Sequence, residues 1–588
     1  MKSTLNWGIL GTGKIAKVFA DALGQSQTGT LRAVGSRKLQ TAQKFAARYF
    51  DVTAHASYEE LLADPDVDAV YISLPNHLHC EWTVRAAQAG KHILCEKPLA
   101  TNYAEAMTML EAVRRHQVFF MEAFMYRCHP QMAKLVELIR NGTIGEVRQI
   151  QVNFSYNMGE ALGNIRQQNE VSGGGIMDVG CYCMSMARLI AGSANGKDFA
   201  EPLEVKALAH IGDKSRVDEW ASAVIKFPGD ILASLTCGTR VAVDSTLRIW
   251  GSEGNIQIPN PWFPGQGDKA GEILIKRDGK DTEKVLLSSD VPLYSLEADI
   301  VARHVKDGQA PAPCMTIADS LGQQQALDSW REEVALIFDG EKPEQLLTPF
   351  SGQKLAARPE FPMPFGKVEG VDKSVSRVVM GSMMMSPRKM AYSFALLDDY
   401  FERGGNCIDT AWLYSGGKCE QAVGAWLQAR QIRDEIVLIA KGAHTPECSP
   451  EGITRQLHES LDRLQTDSVD IYMMHRDNLV IPVAEFVECM NEHQRASRMK
   501  SFGASNWSLQ RLREANEYAA SKGLTGLSST SVNFSLAKWN EPMWSGCVTG
   551  SDEESKAWYT QTQMPLFAWS SQAGGFFTGR FAPQRREE

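Results

Sequence analysis

The 588-residue chain lacks several features that would assign it to a specialised class of protein. Its 12 cysteines include no C-x-x-C doublet, and only Cys181 and Cys183 lie close together. This spacing argues against zinc-ribbon and thioredoxin motifs, predicts no metal site and favours free thiols in a reducing compartment. No apolar run reaches the roughly 18 residues of a membrane span, and the amino terminus lacks a signal-peptide pattern. We therefore expect a soluble, cytoplasmic protein with no membrane partner.

Long runs of one charge sign are also missing. The chain carries 61 basic and 70 acidic residues, which gives a formal net charge of −9. Scattered charges of both signs offer no basic stripe for a nucleic acid, so small molecules are the expected partners. The length exceeds what one hydrophobic core usually serves and predicts roughly three to four domains.

The first positive signal is a glycine-rich turn between a predicted strand and a predicted helix. An apolar run leads into Gly11-Thr12-Gly13-Lys14-Ile15-Ala16, and helical periodicity follows. Gly11 allows a tight turn, Gly13 lets the backbone approach a pyrophosphate, and Ala16 permits close helix packing. The amino terminus of the helix supplies N–H donors to phosphates. The pattern therefore predicts a dinucleotide site.

The residues after the second predicted strand indicate which dinucleotide binds. This strand ends in Ser36-Arg37-Lys38 and lacks the Asp or Glu that would hold the ribose 2′-hydroxyl of NAD. Arg37 offers a bidentate partner for a 2′-phosphate, although a solvated arginine at the start of a helix is an alternative interpretation. The sequence thus favours NADP(H) over NAD(H).

Strand and helix signals alternate through residue 124 and predict a doubly wound parallel sheet. Ligands bind at the carboxyl ends of the strands in such sheets. Two loops there are expected to bind the cofactor, through Pro75, Asn76, His79 and Glu96. Lys97 should face the same crevice, although a lysine at a strand end is by itself more often a surface charge.

An ordered series of motifs over residues 3–345 resembles the Gfo/Idh/MocA oxidoreductase family. The motifs are GTGKIA, SLPNHLH, CEKPLA, EAFMYRCHP and GGGIMDVGCYCMSMAR. They are most similar to the branch of dihydrodiol dehydrogenase and NADP-dependent xylose dehydrogenase. The resemblance implies that Lys97, Asp178 and Tyr182 line the substrate. Tyr182 then transfers the proton, with its pKa lowered by Lys97, while Asp178 orients a substrate hydroxyl.

The spacing of Asp178 and Tyr182 is consistent with this role but does not require it. Residues four apart share one face of a helix, and oxidation of a hydroxyl needs a base for its proton. The alternative is that Asp178 caps a helix and Tyr182 packs in a core.

The stretch after about residue 150 is rich in strand signals and then returns to helical periodicity. It predicts an α+β domain with an open antiparallel sheet and helices on one face. In the family this sheet often forms a dimer, so the resemblance implies a homo-oligomer. We expect a Rossmann domain at 1–124 and a substrate and dimerisation domain at 125–345.

A proline-punctuated linker is predicted at 346–373, and a second βα alternation follows over 374–588. This alternation predicts a barrel or another doubly wound sheet. Asp409, Lys441 and His475 each follow a predicted strand, and in a barrel such strand ends converge on one mouth. Taken singly, Asp409 is more simply a helix cap and His475 a core histidine.

Residues 374–588 resemble the aldo-keto reductases through four motifs, D-x-A-x-x-Y, GKCEQAVG, AKG and MMHRD. The resemblance implies a (β/α)8-type barrel in which Asp409 and Lys441 lower the pKa of Tyr414, the proton donor to a carbonyl. It also implies that His475 orients the carbonyl and that Ser505 and Asn506 hold the cofactor carboxamide. The eighth strand and helix are not evident, so we expect a C-terminally shortened barrel.

The two halves together predict a bifunctional NADP-dependent oxidoreductase of sugar or polyol hydroxyls and carbonyls. Oxidation in the first half and reduction in the second would recycle the cofactor. One alternative is a single dehydrogenase that carries a non-catalytic aldo-keto reductase-like module. Another is a redox-assisted glycoside-cleaving enzyme.

Overall fold

The structure is a computed structural model that describes residues 4–265 and 270–578. It divides into two compact units, Met1–Gln345 with Phe350–Gln353, and Leu346–Pro349 with Lys354–Glu588. The last part of the predicted barrel, residues 579–588, lies outside the described residues. Among the helices of the described ranges, none is both long and apolar enough to cross a bilayer.

A parallel sheet of six strands forms the amino-terminal half of the first unit. Its strands are β1 (Leu5–Leu10), β2 (Gly29–Gly35), β3 (Thr53–His55), β4 (Ala69–Ile72), β5 (His92–Glu96) and β6 (Phe120–Ala123). Their spatial order is β3-β2-β1-β4-β5-β6, and every neighbouring pair is parallel. This order confirms the predicted Rossmann fold, with its switch point between β1 and β4.

Helices connect these strands in the expected alternation. They are α1 (Lys14–Leu23), α2 (Leu39–Ala46), α3 (Tyr58–Ala63), α4 (His79–Gln88) and α5 (Tyr103–His116). Helix α1 begins directly after Gly13, and its buried Ala16 and Phe19 share a core with Trp7 of β1. The glycine turn is therefore fixed between a buried strand and a buried helix face.

A sheet of eight strands forms the rest of the first unit. Its strands are β7 (Val147–Ser155), β8 (Glu204–Ile211), β9 (Asp218–Phe227), β10 (Ile231–Gly238), β11 (Leu247–Gly251), β12 (Gly254–Ile258), β13 (Gly271–Arg277) and β14 (Glu283–Leu287). The order is β14-β13-β12-β11-β7-β10-β9-β8. Strands β7 and β10 pair in parallel, whereas the other neighbours are antiparallel. The sheet is thus mixed, because β10 is inserted beside β7, and not wholly antiparallel as predicted.

Helices cover one face of this sheet, as expected. Three of them share its core, α6 (Pro130–Arg140), α7 (Cys181–Ala194) and α9 (Ile317–Glu333). Helix α8 (Leu293–His304) instead packs with the Rossmann core through Ala298 and Val301. The other face of the sheet is open, and side chains on β9 alternate between buried and exposed.

The second unit contains a short antiparallel pair and a parallel sheet. The pair is β15 (Phe365–Gly366) with β16 (Val375–Ser376). The parallel strands follow in chain order as β17 (Met380–Gly381), β18 (Cys407–Asp409), β19 (Val437–Gly442), β20 (Val469–Met474), β21 (Met499–Ser505) and β22 (Ser529–Ser531). Every residue of β19 and β20 is buried, which is typical of parallel strands covered on both faces.

Helices alternate with these strands to give successive βα units. They are α10 (Met390–Glu402), α11 (Lys418–Arg430), α12 (Pro450–Leu464), α13 (Val483–Arg495), α14 (Leu509–Lys522) and α15 (Glu553–Thr562). After α15 the chain returns beside β22, where Phe567 N donates to Thr530 O at 2.8 Å. Over the described residues the result is a parallel half-barrel with the alternation of strands and helices that the sequence predicted.

Candidate active sites

The glycine turn of the first unit fits a dinucleotide pyrophosphate. Gly11 has φ +104°, and its N–H donates to Gly35 O at 3.1 Å. A Cβ on Gly13 would meet no atom within 4 Å, so open space lies beside this backbone. Gly13 caps α1 without a side-chain hydrogen bond, which leaves N–H groups of the helix terminus available to phosphate.

The Gly11–Gly35 hydrogen bond places the end of β2 directly beside the glycine turn. Ser36 is buried there, whereas Arg37 and Lys38 are exposed. The guanidinium of Arg37 is close enough to His77 to assist burial in lowering the pKa of that imidazole. Arg37 therefore lies at the crevice and has accessible donors. Binding of a 2′-phosphate by Ser36, Arg37 and Lys38 stays a prediction.

The loops after β4 and β5 are joined by His79. Its fully buried ring lies between two main-chain oxygens, with Nδ1 2.9 Å from Pro98 O and Nε2 2.8 Å from Leu74 O. Because the ring has no accessible surface, the predicted cofactor contact of the His79 side chain is wrong. His79 instead positions the loop that carries Lys97.

Asn76 and Pro75 keep their predicted place at the crevice end of β4. Asn76 Nδ2 donates to Ser172 O at 2.8 Å, which ties this loop to the turn Gly173-Gly174-Gly175. Glu96, at the end of β5, accepts a hydrogen bond from the hydroxyl of Tyr71, and burial raises its pKa. Cofactor contacts by these residues stay predictions.

Lys97 and Asp178 form the centre of the first candidate site. Lys97 Nζ lies 2.7 Å from Asp178 O and 3.3 Å from its Oδ1. Burial opposes both charges, but the neighbouring carboxylate leaves the pKa of Lys97 raised. Lys97 and Arg166 likewise leave the pKa of Asp178 lowered despite its burial. The pair is therefore ionised at neutral pH.

Two further residues, neither of them predicted from the sequence, hold the Asp178 carboxylate. Tyr156 OH donates to Oδ2 at 2.5 Å, and Arg166 Nε donates to the same oxygen at 3.0 Å. Tyr156 directly follows β7, so its place just past a strand end was a usable signal. Arg166 lies in a single 3₁₀ turn, Ile165–Gln167, which is too short to leave a periodic pattern in the sequence.

Tyr182 lies beside Lys97 but is not activated by it. The Lys97 ammonium lies 5.0 Å from the centre of the Tyr182 ring, and the phenol hydroxyl contacts Met125 Sδ at 3.3 Å. Phe154 and Trp262 pack edge-on against the ring. Burial raises the pKa of Tyr182 well above its ordinary value, so the predicted lowering is wrong. Asp178 itself lies in a π-helical turn, Ile176–Gly180, ahead of α7.

The four predicted residues of the second site are brought together at the carboxyl ends of β18, β19 and β20. Lys441 Nζ is paired with Asp409 Oδ1 and lies 5.1 Å from the centre of the Tyr414 ring. The rings of Tyr414 and His475 meet edge-on, with 5.8 Å between their centres. The strand ends therefore converge as the sequence predicted, whereas a carbonyl-reducing role for these residues stays a prediction.

The charges of this second site differ in one respect from the expectation. Burial leaves the pKa of Tyr414 above its ordinary value although Lys441 acts to lower it, so the predicted net lowering is wrong. Burial, with Lys441 nearby, holds the pKa of His475 well below its ordinary value, so this imidazole is neutral. His444, which was not predicted from the sequence, lies with its ring centre 5.0 Å from that of His475.

Ser505 and Asn506 lie at the end of β21, but their side chains already bind the protein itself. Ser505 Oγ donates to Ser531 O at 2.9 Å, and Asn506 Nδ2 donates to Ser505 Oγ at 3.0 Å. Asn506 Oδ1 accepts from Val548 N at 3.3 Å. Their predicted contact with a cofactor carboxamide stays a prediction and requires exchange of these bonds.

Comparison with known proteins identifies the families that match the two units. Residues 5–124 match the oxidoreductase family with an NAD-binding Rossmann fold, GFO/IDH/MocA, and residues 132–257 match the GFO/IDH/MocA C-terminal domain. Residues 377–588 match the aldo/keto reductase family.

Individual relatives match the first unit over nearly their whole length. D-xylose 1-dehydrogenase (NADP+) of Haloferax volcanii is 33% identical over 305 residues, 52% of this chain and 90% of its own. Trans-1,2-dihydrobenzene-1,2-diol dehydrogenase of Mus musculus is 29% identical over 345 residues, 58% of this chain and 99% of its own. A 3-ketoreductase from Actinomadura kijaniata, solved with NADP and TDP-benzene, has 28% identity and a TM-score of 0.50 over 56% of this chain and 98% of its own.

These matches cover both constellations described above. Both families consist of NAD(P)-dependent oxidoreductases that act on alcohol or carbonyl groups, so two oxidoreductase domains share one polypeptide. The chain belongs to the GFO/IDH/MocA oxidoreductase family and continues into a domain of the aldo/keto reductase family.

Proposed function

We propose that the first unit interconverts a hydroxyl and a carbonyl group on a sugar or polyol. The observation that carries this proposal is the ionised Lys97–Asp178 pair at the carboxyl end of β5, the ligand-binding end of a Rossmann sheet. The ammonium of Lys97 is a hydrogen-bond donor for the reacting oxygen of the substrate. The name of the xylose dehydrogenase supports a sugar substrate, and that of the 3-ketoreductase supports a reaction at a carbonyl group.

The proposed cofactor is NADP(H), bound through the glycine turn and through Ser36, Arg37 and Lys38. When bound, NADP(H) supplies or accepts the hydride. The open space beside Gly13 and the exposed guanidinium of Arg37 fit a pyrophosphate and a 2′-phosphate respectively. The A. kijaniata structure contains NADP, which supports this choice.

Tyr182 is the proposed proton-transferring residue of the first site. Its raised pKa keeps the phenol protonated at neutral pH, which suits donation of a proton to a carbonyl oxygen during reduction. Lys97 polarises the same oxygen, and Asp178 fixes the ammonium of Lys97. The reverse direction starts from the phenolate form of Tyr182, which accepts the hydroxyl proton as the hydride leaves for the cofactor.

The second unit is proposed to reduce a carbonyl group. Tyr414 donates the proton, and the Lys441–Asp409 pair lies next to it to stabilise the developing phenolate. Neutral His475 orients the carbonyl as a hydrogen-bond donor. With NADP(H) shared between the units, oxidation in one and reduction in the other give a net isomerisation of the sugar.

Product analysis tests the coupling. The full chain is incubated with a sugar and a catalytic amount of NADP, and isomers are separated by chromatography. Isomer formation should stop in both Lys97→Met and Tyr414→Phe, whereas each variant should keep the half-reaction of its intact site. If the amount of oxidised sugar never exceeds the amount of NADP supplied and no isomer forms, the coupling is rejected and the two sites act independently.

A second candidate function is a single dehydrogenase that carries a non-catalytic aldo/keto reductase module. One observation favours it, because the Asn506 carboxamide is already bonded to Val548 N and Ser505 Oγ. In that case Tyr414→Phe leaves all carbonyl reduction undiminished while Lys97→Met abolishes it. A selective loss in Tyr414→Phe rejects this candidate.

A homo-oligomer is proposed through the open face of the eight-stranded sheet. Apolar side chains lie exposed on three adjacent strands of this face, with Leu208 83% exposed beside Trp220, Val224 and Leu232. Light scattering after size exclusion should give a dimer for the wild type and a smaller mass for Val224→Asp. Phe50→Asp, at an exposed residue away from the sheet, is the control. A monomeric wild type rejects this proposal.

A further inference from the structure

Arg166 uses only part of its hydrogen-bonding capacity at the first site. Its Nε donates to Asp178 Oδ2, and within the described ranges neither terminal nitrogen has a hydrogen-bond partner. The side chain remains 43% exposed. A guanidinium bound through Nε alone still presents its two terminal nitrogens as donors in one plane.

The loop that carries Arg166 is locked in place. Arg166 N donates to Asn164 Oδ1 at 3.1 Å, and Arg166 O accepts from Gly174 N at 2.9 Å. A Cβ on Gly173 would lie 2.5 Å from Ile165 O, so only glycine permits this contact. These contacts fix the backbone at Arg166, and the hydrogen bond from its Nε holds the guanidinium beside Asp178.

The other charged groups of the site do not neutralise this guanidinium. Asp178 is shared with Lys97, so two cations face one carboxylate. Glu96 is the next carboxyl, but it accepts from Tyr71 and burial raises its pKa. A planar guanidinium can donate two parallel hydrogen bonds to a carboxylate or a phosphate, and the surplus positive charge of this site favours such anions.

We infer that Arg166 binds an anionic group of the substrate, a carboxylate or a phosphate carried by the sugar. This inference rests on the proposed oxidoreductase function of the first site and names its substrate class. Lys97 and Tyr182 handle the reacting oxygen, and Arg166 fixes the opposite, charged end of the molecule. Sugar acids and sugar phosphates are therefore preferred over neutral sugars of the same size.

Calorimetric titration tests this directly and without turnover. D-glucuronate, D-glucose 6-phosphate and D-glucose are titrated into the full chain saturated with NADPH, in wild type, Arg166→Lys and Arg166→Gln. At least one of the two charged sugars should bind the wild type about 10- to 100-fold more tightly than glucose. Tighter binding of glucuronate indicates a carboxylate as the natural anion, and tighter binding of glucose 6-phosphate indicates a phosphate. Arg166→Gln should lose this preference, and Arg166→Lys should retain part of it.

A matched control is Arg140→Gln, which removes a 42% exposed arginine that is likewise paired with one carboxylate. It should keep the wild-type preference. Equal affinity for charged and neutral sugars, including no binding of either, overturns the inference, as does an unchanged preference in Arg166→Gln. A separate experiment, initial rates of NADP reduction with glucose and xylose, reports whether the first site is an oxidoreductase. Failure of the proposed oxidoreductase function is thereby distinguished from failure of anion binding by Arg166.

Discussion

The ammonium of Lys97 lies closer to the main-chain oxygen of Asp178, at 2.7 Å, than to its carboxylate, at 3.3 Å. The π-helical turn Ile176–Gly180 accounts for the first contact, because such turns leave carbonyls without the regular helical partner. The carboxylate is consequently free to bind Tyr156 and Arg166 through its other oxygen. A local departure from α-helical geometry thus assembles four polar groups at one point.

Substitution of Lys97 should strongly slow hydride transfer in the first unit and spare cofactor binding. Lys97→Met keeps the length of the side chain but removes the charge that polarises the substrate oxygen. We expect the first-site kcat to fall by about 10²- to 10⁴-fold, measured as NADP reduction with a sugar substrate. The NADP dissociation constant should stay unchanged. Lys134→Met, at a partly exposed lysine paired with Glu137, is the control. A kcat equal to that of the wild type would contradict the role of Lys97.

The two phenols of the first site should respond differently to loss of their hydroxyl groups. Tyr182→Phe removes the proposed proton donor and should lower kcat by about 10²- to 10⁴-fold. Tyr156→Phe removes only a donor to Asp178. Because that hydrogen bond favours the carboxylate, its loss raises the pKa of Asp178 and should move the acidic limb of the pH–rate profile to higher pH. The reverse pattern would make Tyr156 the proton donor.

Site residues at strand ends were predictable from the sequence, and the structure shows why. The glycine turn and the D-x-A-x-x-Y motif are local, and strand ends of a parallel sheet meet at one edge whatever the loops do. Lys97, directly after β5, and Lys441, near the end of β19, were therefore both predicted to lie at a strand end, where the structure has them.

Other features of the sites depend on contacts distant in the sequence. Tyr182 is buried by Trp262, 80 residues further on, so the direction of its pKa shift could not be read from its helix. Arg166 reaches Asp178 only because Gly173 allows two stretches of backbone to touch. His79 was assigned to the cofactor from its loop, but the ring turns inward to two carbonyl groups.

Removal of Arg37 should change the preference for the cofactor. Arg37 is exposed beside the glycine turn, and its loss removes the proposed partner of the 2′-phosphate. Calorimetric titration of Arg37→Ala should show NADP affinity of the first unit reduced about tenfold or more, with NAD affinity little changed. The same titration of the wild type counts sites, since two tight NADP sites per chain mean that both units bind cofactor. Equal loss of NADP and NAD would argue for a general structural effect.

Glu122 provides a prediction about stability and pH. Its side chain is 1% exposed, Oε1 accepts from Leu99 N at 2.9 Å, and Oε2 has no partner among the described residues. Burial raises its pKa to about 8 from an ordinary value of 4.5. A carboxyl with a raised pKa in the folded state destabilises the fold when it is ionised. This cost is complete above pH 8 and vanishes as the pH falls towards 4.5.

Glu122→Gln should therefore stabilise the first unit at pH 9 and lose this advantage at pH 5. The amide oxygen keeps the bond from Leu99 N, and the charge is absent at every pH. From the pKa difference the gain at pH 9 is at most ~5 kcal/mol. Thermal unfolding by calorimetry at pH 5, 7 and 9 measures it, and Glu137→Gln, at an exposed carboxylate, is the control. Buried Asp218 and Glu105 also have raised pKa values, about 7 and 8. The wild type and Glu122→Gln both contain these two residues, so their contributions cancel when the stabilities of the two proteins are subtracted. A difference in unfolding temperature that stays constant with pH would show that Glu122 does not titrate in this range.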